Sequence, residues 1–385
     1  MIIHFMQDEK FIDSFIKQYS ITHVDSEIYY YIYLSNTKNQ LQHVNSKNVE
    51  LIRLNVRTLT RILRKHNSIK HIYFHNFPKN MVSICRHIPR KIKIYWIFYG
   101  IEIFQNVLYT KILDESSESI YASIFKRKSF LKILPKQIVK ILLKIREKIR
   151  IFKLKKILPR INFFCHWNKY DYESVKEMFP TFNAQFIFFG YNHSFSMFQI
   201  PTKVNDPSSS SESTTGKNLI MLGHGASVSL NHLTILEYLK HFENQSFMII
   251  CPVSYGDMKY KEYLINYSRM NNIDNLTFLE EFVSFQDYVN IISNVDVFVM
   301  NNIRTQGGSN ISLALKLGKK VYMHPQNPHY KYFIELGFVI FSTFELLQSS
   351  LEEILTPLSP DQKESNQTLI QQLPVMTTSI YKNLP

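Results

Sequence analysis

The sequence predicts an α/β fold of two Rossmann-like domains, each built on a parallel sheet. Three observations predict it. Short β-rich runs alternate with helical stretches along most of the chain, the pattern of βαβ units. The alternation runs twice, interrupted at 205–217 by NDPSSSSESTTGK, which has no periodicity and reads as a linker. The 385 residues, 45% apolar and 20% charged, suffice for two globular domains and exclude a disordered chain.

In the first series Ile2–Met6 reads as a strand, Glu9–Tyr19 as a helix and Ile28–Leu34 as a second strand. Val56–Lys65 is helical, and the strands Ile69–His75 and Ile92–Phe98 flank a helix at Asn80–His87. After residue 160 come strand Ile161–His166, helix Tyr172–Met178 and strand Gln185–Phe189. The second series starts at strand Asn218–Leu222 and helix Asn231–Phe242. It continues through Phe247–Cys251, Lys259–Asn271, Leu276–Leu279, Ser284–Ser293, Val295–Met300, Ser309–Leu317 and Lys320–His324, strand and helix in turn. No internal repeat is visible.

The segment between the first strands and residue 161 stands apart. From Tyr121 to Arg160 there are fourteen Lys/Arg against one acid, Glu147, so this window carries +13 of the chain's net +14. Within Leu131–Ile157, the residues Ile138, Ile141, Leu142, Ile145, Ile149 and Phe152 recur at helical spacing as one apolar face, with lysines on the other side. Pro135 suits the first turn and Pro159 marks the end. A cationic amphipathic helix fits an anionic membrane surface, with Lys132, Lys136, Lys140, Lys144 and Lys148 at the headgroups. The alternative is a solvated helix packed on the first domain. A nucleic-acid partner is not expected, because aromatics are not interleaved and no recognition motif accompanies the charge.

Three scattered cysteines, Cys85, Cys165 and Cys251, build neither a disulfide framework nor a zinc site and point to a reducing compartment. Met1–Lys10 does not have the form of a secretory signal. No uncharged apolar run reaches the roughly 18 residues needed to span a bilayer. A soluble or peripheral protein is expected.

Four loops at strand ends carry candidate chemistry. Gly223-His224-Gly225-Ala226-Ser227 follows the first strand of the second series, where small residues let a ligand approach the backbone. The same residues also fit a tight βα turn. Asn301-Asn302-Ile303-Arg304-Thr305-Gln306-Gly307-Gly308-Ser309-Asn310-Ile311 places two glycines and a serine at a helix N-terminus, an anion site, with Arg304 able to bond a diphosphate. The bland reading is a cap with a surface arginine. Ser254-Tyr255-Gly256 offers a ring for stacking on a base, and Glu280–Phe285, including Phe282, lies at the next strand end with Ser284 and Asp287 as a helix cap. No Asp-x-Asp occurs. Diphosphate charge is therefore expected to be neutralised by Arg304 and helix dipoles, with no metal and no other cofactor.

These residues resemble the bacterial 4-alpha-L-fucosyltransferase family, the TDP-N-acetylfucosamine:lipid II N-acetylfucosaminyltransferases. The resemblance is carried by Leu222–Ser227 with Asn231-His232, by Pro252–Gly256, Phe285–Tyr288 and Arg304–Ile311, and by Leu317–Val321 with Asn327-Pro328. His4-Phe5-Met6, Lys10-Phe11 and Trp96–Glu102 extend it to the first series. It implies a GT-B-like fold, two Rossmann-like domains with parallel sheets facing a cleft. It also implies transfer of 4-acetamido-4,6-dideoxygalactose from a dTDP-sugar to an undecaprenyl-diphosphate-linked saccharide at the cytoplasmic face of the inner membrane.

The expected organisation is an acceptor- and membrane-side domain at 1–204 with a basic insert at about 121–160. The linker at 205–217, a nucleotide-sugar domain at 218–345 and a helical tail at 346–385 follow. The donor site then comprises Gly223, His224, Gly225, Ser254, Tyr255, Gly256, Phe282, Arg304, Gln306, Gly307, Gly308, Ser309 and Asn310. Deprotonating the acceptor hydroxyl needs a base, and Glu102, His75 and Asp8 are the candidates. There are departures from the family pattern. Thr305 stands where Gln is typical, Glu102 where Asp is usual, and Ala314 near the point where wider GT-B transferases carry a ribose-binding Glu. A transferase of another capsule or O-antigen pathway, or a membrane-bound sugar-nucleotide sensor, fits the same residues.

Overall fold

The computed structural model describes residues 1–385 apart from 35–39, 79, 105–107, 128–134, 192–217, 374–383 and 385. The expected linker lies outside the described residues. The chain divides into two compact units, one from 1–109, 145–195 and 374–385, the other from 110–144 and 196–373.

The first unit's sheet contains β1 (Ile2–Met6), β2 (Ile28–Tyr33), β3 (Val49–Ile52), β4 (His71–His75), β5 (Lys93–Ile97), β6 (Phe163–His166) and β7 (Gln185–Phe188). All pairs are parallel, in the order β3-β2-β1-β4-β5-β6-β7. β3 is not expected from the sequence, because four residues at a sheet edge, with Glu50 and Leu51 exposed, are too few to show a period. The helices up to this point are α1 (Ile12–Thr22), α2 (Val56–Lys65), α3 (Met81–Arg86), α4 (Ile101–Phe104), α5 (Glu115–Arg127), α6 (Lys136–Lys155) and α7 (Lys169–Met178).

Every residue of β1 is buried, as in a parallel strand covered on both faces. One face carries a row of register partners, Tyr30, His4, Tyr73, Tyr95 and Phe163. Their rings stack at 5.3, 4.5, 4.3 and 4.4 Å between centroids. Each such stack contributes about 0.5–1.5 kcal/mol beyond its buried area. Phe5, Phe74, Trp96 and Phe164 line up on the opposite face. Leu384, from the end of the chain, joins this unit's core, and its carbonyl accepts from His23 Nε2 at 2.7 Å.

The second unit's sheet contains β8 (Asn218–Leu222), β9 (Phe247–Pro252), β10 (Leu276–Leu279), β11 (Val297–Met300), β12 (Lys320–Met323) and β13 (Phe341–Ser342). It is also all parallel, ordered β10-β9-β8-β11-β12-β13. Its later helices are α8 (His232–Leu239), α9 (Met258–Met270), α10 (Phe285–Ser293), α11 (Gly308–Lys316), α12 (Pro328–Glu335), α13 (Thr343–Leu346), α14 (Leu351–Leu355) and α15 (Pro360–Gln372). The last three start at capping boxes, Ser342/Glu345, Ser350/Glu353 and Ser359/Gln362, which satisfy the free N–H groups of these short helices.

Both sheets reverse strand order beside their first strand, between β1 and β4 and between β8 and β11. In open parallel sheets this switch point, at the strands' carboxyl ends, is where ligands bind. One boundary differs from the expected domain at 1–204: residues 110–144 pack with the second unit. The reason is a set of polar ties. Asp114 N–H donates to Asn231 Oδ1 at 3.2 Å, Thr234 donates to the Asp114 carboxylate, and Asn231 Nδ2 donates to the Ile112 carbonyl at 3.2 Å.

Candidate active site

In the second unit the two glycine loops flank the switch point. Gly223 follows β8 with φ +71°, and a side chain there would collide with the His232 ring. The next residue, His224, reaches the Tyr255 hydroxyl through Nδ1 at 2.5 Å. Gly225 lies under the Tyr255 ring, where a Cβ would come within 2.9 Å of it. Ala226 N–H donates to the Tyr255 carbonyl, and Asp257 N–H to the Ala226 carbonyl, both at 2.7 Å, so the loops after β8 and β9 are bonded together. Gly256, at φ +119°, is required because a Cβ would land on the Ala226 carbonyl.

The arginine loop after β11 is braced by asparagines. Asn302 Nδ2 donates to the Arg304 carbonyl at 2.7 Å, and Asn327 Nδ2 to the Asn302 carbonyl at 2.7 Å. Asn301 Nδ2 donates to the Asn231 carbonyl at 3.2 Å, tying this loop to the start of α8. Gly307 caps α11 in the left-handed region, φ +70°. A Cβ there would meet Met300 Cε at 2.5 Å and His224 Cδ2 at 2.6 Å, so the His224 ring and the Gly307 turn are in contact. Gly308 faces the His329 ring. The first N–H groups of α11, from Gly308 and Ser309, have no partner within the helix and carry its positive dipole end.

Arg304 is 9% exposed and supplies the site's cation. Burial, then the Arg304 charge, lowers the His224 pKa to about 4. Burial lowers His232 to about 3. Both imidazoles are therefore neutral near pH 7, and the positive charge rests on the guanidinium and the helix end. Gln306 lies 3.5 Å from the Ser229 hydroxyl. Ser309 is exposed, Asn310 half-buried and Ser254 half-buried. Tyr255 is 48% exposed and Phe282 78% exposed. Ala314 is fully buried inside α11, so it makes no contact at the surface where a ribose would sit. His329, against Gly308, is a neighbour the sequence reading did not select; a histidine eighteen residues past Ile311 gives no local signal.

The first unit's switch point is built differently. Asn76, at φ +72°, follows β4 and donates from Nδ2 to Gln7 Oε1 at 3.1 Å, across the gap between β1 and β4. The Tyr33 hydroxyl donates to the Asn76 carbonyl at 3.1 Å. The three candidate bases fare unequally. Asp8 accepts the backbone N–H groups of Gln42, His43 and Val44 at 2.7, 3.0 and 3.0 Å. Partial burial opposes its ionisation, but these donors outweigh it and hold the carboxyl below its ordinary value, which makes Asp8 a loop anchor and a poor base.

His75 is fully buried. Its Nε2 pairs with His4 Nδ1 at 2.9 Å and its Nδ1 with the Tyr191 hydroxyl at 2.5 Å. Tyr191 in turn meets the Tyr99 hydroxyl at 2.9 Å. Burial lowers the pKa of His75 and His4 well below the ordinary imidazole value. His75 thus stands behind Tyr191, a residue the sequence reading did not select. Glu102 Oε1 accepts from the Trp96 indole at 2.8 Å and from Tyr99 N–H at 3.0 Å, while Oε2 is enclosed without a hydrogen-bond partner. Burial pushes the Glu102 pKa up to about 7, against the lowering pull of its backbone and indole donors.

Of the basic-segment lysines, Lys132 lies outside the described residues. Lys136 opens α6, and its side chain is likewise outside them. Lys140 and Lys144 turn toward α5, to Ser119 Oγ at 3.0 Å and Glu118 at 3.5 Å. Lys148 is exposed. No group of three or more His, Cys, Asp or Glu able to hold a metal ion occurs among the described residues. No helix among them is long and apolar enough to cross a membrane.

Residues 171–360 match the family model of the 4-alpha-L-fucosyltransferase glycosyl transferase group 56. No curated protein matches the chain. Similar solved structures include a sucrose-phosphate synthase from Thermosynechococcus elongatus, 9% identical, TM-score 0.60, covering 100% of this chain and 99% of that one. The N-terminal domain of trehalose-6-phosphate phosphatase from Candida albicans is 9% identical, TM-score 0.59, covering 99% and 94%. WaaG, a glycosyltransferase of lipopolysaccharide biosynthesis, is 12% identical, TM-score 0.53, covering 99% and 98%. On a GT-B fold, and with residues 171–360 similar to the 4-alpha-L-fucosyltransferase group 56 model, this chain is a nucleotide-sugar-dependent glycosyltransferase.

Proposed function

We propose that the chain transfers 4-acetamido-4,6-dideoxygalactose from its dTDP donor to a polyprenyl-diphosphate-linked saccharide, at the cytoplasmic face of a bacterial membrane, in surface-polysaccharide synthesis. The observation that carries it is the junction of β11 and α11. A left-handed Gly307, a nearly buried Arg304 and the N-terminus of α11 meet at a switch point lined by the Gly223–Gly225 loop. Such a junction suits a diphosphate, which is bound by helix N–H groups and a charge-assisted guanidinium bond. Tyr255, exposed beside His224, suits the base or sugar ring.

In the transfer, the bond from the sugar's anomeric carbon to the diphosphate oxygen breaks as the bond to the acceptor oxygen forms. Arg304 and the helix end take up the charge that develops on the leaving diphosphate, the kind of preorganised stabilisation that dominates many enzymes. No metal is required for that role. We assign the acceptor's proton to Glu102, whose pKa of about 7 lies where a general base is effective. Its enclosed Oε2 means that the turn at Tyr99–Glu102 has to admit the acceptor.

The test is thermal stabilisation by dTDP, UDP, GDP and CMP side by side. Selective stabilisation by dTDP, lost in Arg304→Ala, is the expected result. Preference for UDP or GDP moves the enzyme to another pathway, and no shift with any nucleotide overturns the donor site.

A further inference from the structure

We propose that α6 is a membrane-docking helix whose outward row, Ile138, Ile141, Leu142, Ile145, Ile149 and Phe152, enters the apolar boundary of an anionic lipid bilayer while flanking lysines sit among the headgroups. The proposal deepens the functional reading by naming what holds the enzyme at the surface, and rests on it only for the presence of a lipid-linked acceptor.

The six residues are 41, 57, 37, 48, 51 and 60% exposed. They fall within an arc of roughly 100° on a helix of 3.6 residues per turn. The packed side is a different, narrower stripe. Val139, Leu143, Glu147 and Leu154 are buried, and Val139 and Leu143 cluster with Ala122 and Tyr121 of α5. A water-facing helix normally turns its polar side outward; this one buries the poorer apolar stripe and exposes the richer one.

The charge pattern selects the occupant. Lys148 and Lys155 border the row on one side and Lys153 on the other, all exposed. Lys156 Nζ lies 4.1 Å over the exposed Phe152 ring at the row's end. Glu147, the window's one acid, is 8% exposed, so the outward surface of α6 carries cations without carboxylates. A second copy offering the same row would bring lysines against lysines. A nucleic acid would meet the cations but leave the aliphatic row in water. An anionic bilayer satisfies both, with acyl chains for the row and phosphates for the lysines.

The experiment is flotation of the full chain with vesicles of phosphatidylcholine alone or mixed with phosphatidylglycerol. We expect salt-sensitive binding to the mixed vesicles and little to phosphatidylcholine. The joint change Ile145→Glu and Ile149→Glu should abolish it. Joint Lys148→Gln, Lys153→Gln and Lys155→Gln should weaken it by about fivefold per lysine removed. Brominated lipid should quench a Phe152→Trp probe. Stabilisation by dTDP without lipid serves as the folding control and tests the donor site independently. Glutamate variants that keep this stabilisation but still float, or a probe that is not quenched, overturn the docking helix. So does wild type that ignores lipid and forms a dimer dispersed by the glutamates. Loss of dTDP stabilisation with flotation intact would instead overturn the donor reading alone.

Discussion

The two sheets, of seven and six strands, share the order of their first six, yet their switch points differ in kind. Between β8 and β11 the chain places glycines, with left-handed turns at Gly223 and Gly307 and one guanidinium nearby. Between β1 and β4 it places side chains bonded to each other, Gln7 to Asn76 and Tyr33 to the Asn76 carbonyl. The first arrangement leaves backbone N–H groups for a ligand. The second pairs the Asn76 amide and carbonyl with Gln7 and Tyr33 inside the unit. A shared strand order therefore does not imply identically built switch points. The residues at the switch point decide which edge suits a charged ligand, the use proposed for the second unit.

The largest effect should come from filling the glycine edge. Gly307→Val would force a β-branched residue into φ +70° and against Met300 and His224. Transfer should fall by more than about a hundredfold, the scale of losing preorganised charge stabilisation, with dTDP stabilisation lost as well. Near-normal turnover would show that the two edges are not functionally distinct.

Arg304→Ala should follow, lowering turnover by about a hundredfold with the fold retained. Arg304→Lys should recover only part of this, because a point charge cannot reproduce the guanidinium fork. Full recovery by lysine would reduce the arginine's part to simple charge.

On the other edge, Glu102 allows a sign-specific check. Its folded pKa of about 7 lies above the ordinary carboxylate value, so the folded state holds the proton more tightly than the unfolded chain. Stability is then full below the unfolded pKa, falls as pH rises toward 7 and is flat beyond it. The total loss is about 3 kcal/mol. Glu102→Gln should remove this slope in denaturant titrations across pH. If it also removes the acidic limb of the pH–rate profile, the base assignment is sharpened; an unchanged limb ends it.

Asp8→Ala should cost about 2 kcal/mol by releasing three backbone N–H groups, without changing the donor affinity. The smallest effect belongs to Tyr191→Phe, at about 1 kcal/mol for the lost hydroxyl bonds to His75 and Tyr99. A large rise in KM from that change, with stability intact, would make Tyr191 an acceptor contact and bring the two edges closer in function.

Most strands were legible because β-rich runs bounded by turn residues repeat their signal within a few positions. The glycine loops were legible for the same reason: Gly223, Gly256 and Gly307 sit one to seven residues past apolar strands, as the chain's own order shows. The candidate bases were not separable in this way. Asp8, His75 and Glu102 all follow strands, but one is an anchor for residues 42–44, one is sealed behind Tyr191 and one is enclosed by Trp96. Those partners lie from six to more than a hundred residues away in sequence.

The sequence by itself determined two parallel-sheet units, the glycine-lined edge and the period of the apolar row on α6. These follow from backbone preferences and side-chain spacing, which act over one or two turns of chain. Only the tertiary structure decided that residues 110–144 pack with the second unit, that Glu102 faces inward, and that α6 buries Val139 and Leu143 while leaving Ile145 and Phe152 outside. Which face is covered depends on what other segments bring against it, and burial, not residue type, then sets whether a carboxyl titrates near neutrality or a helix offers its apolar side.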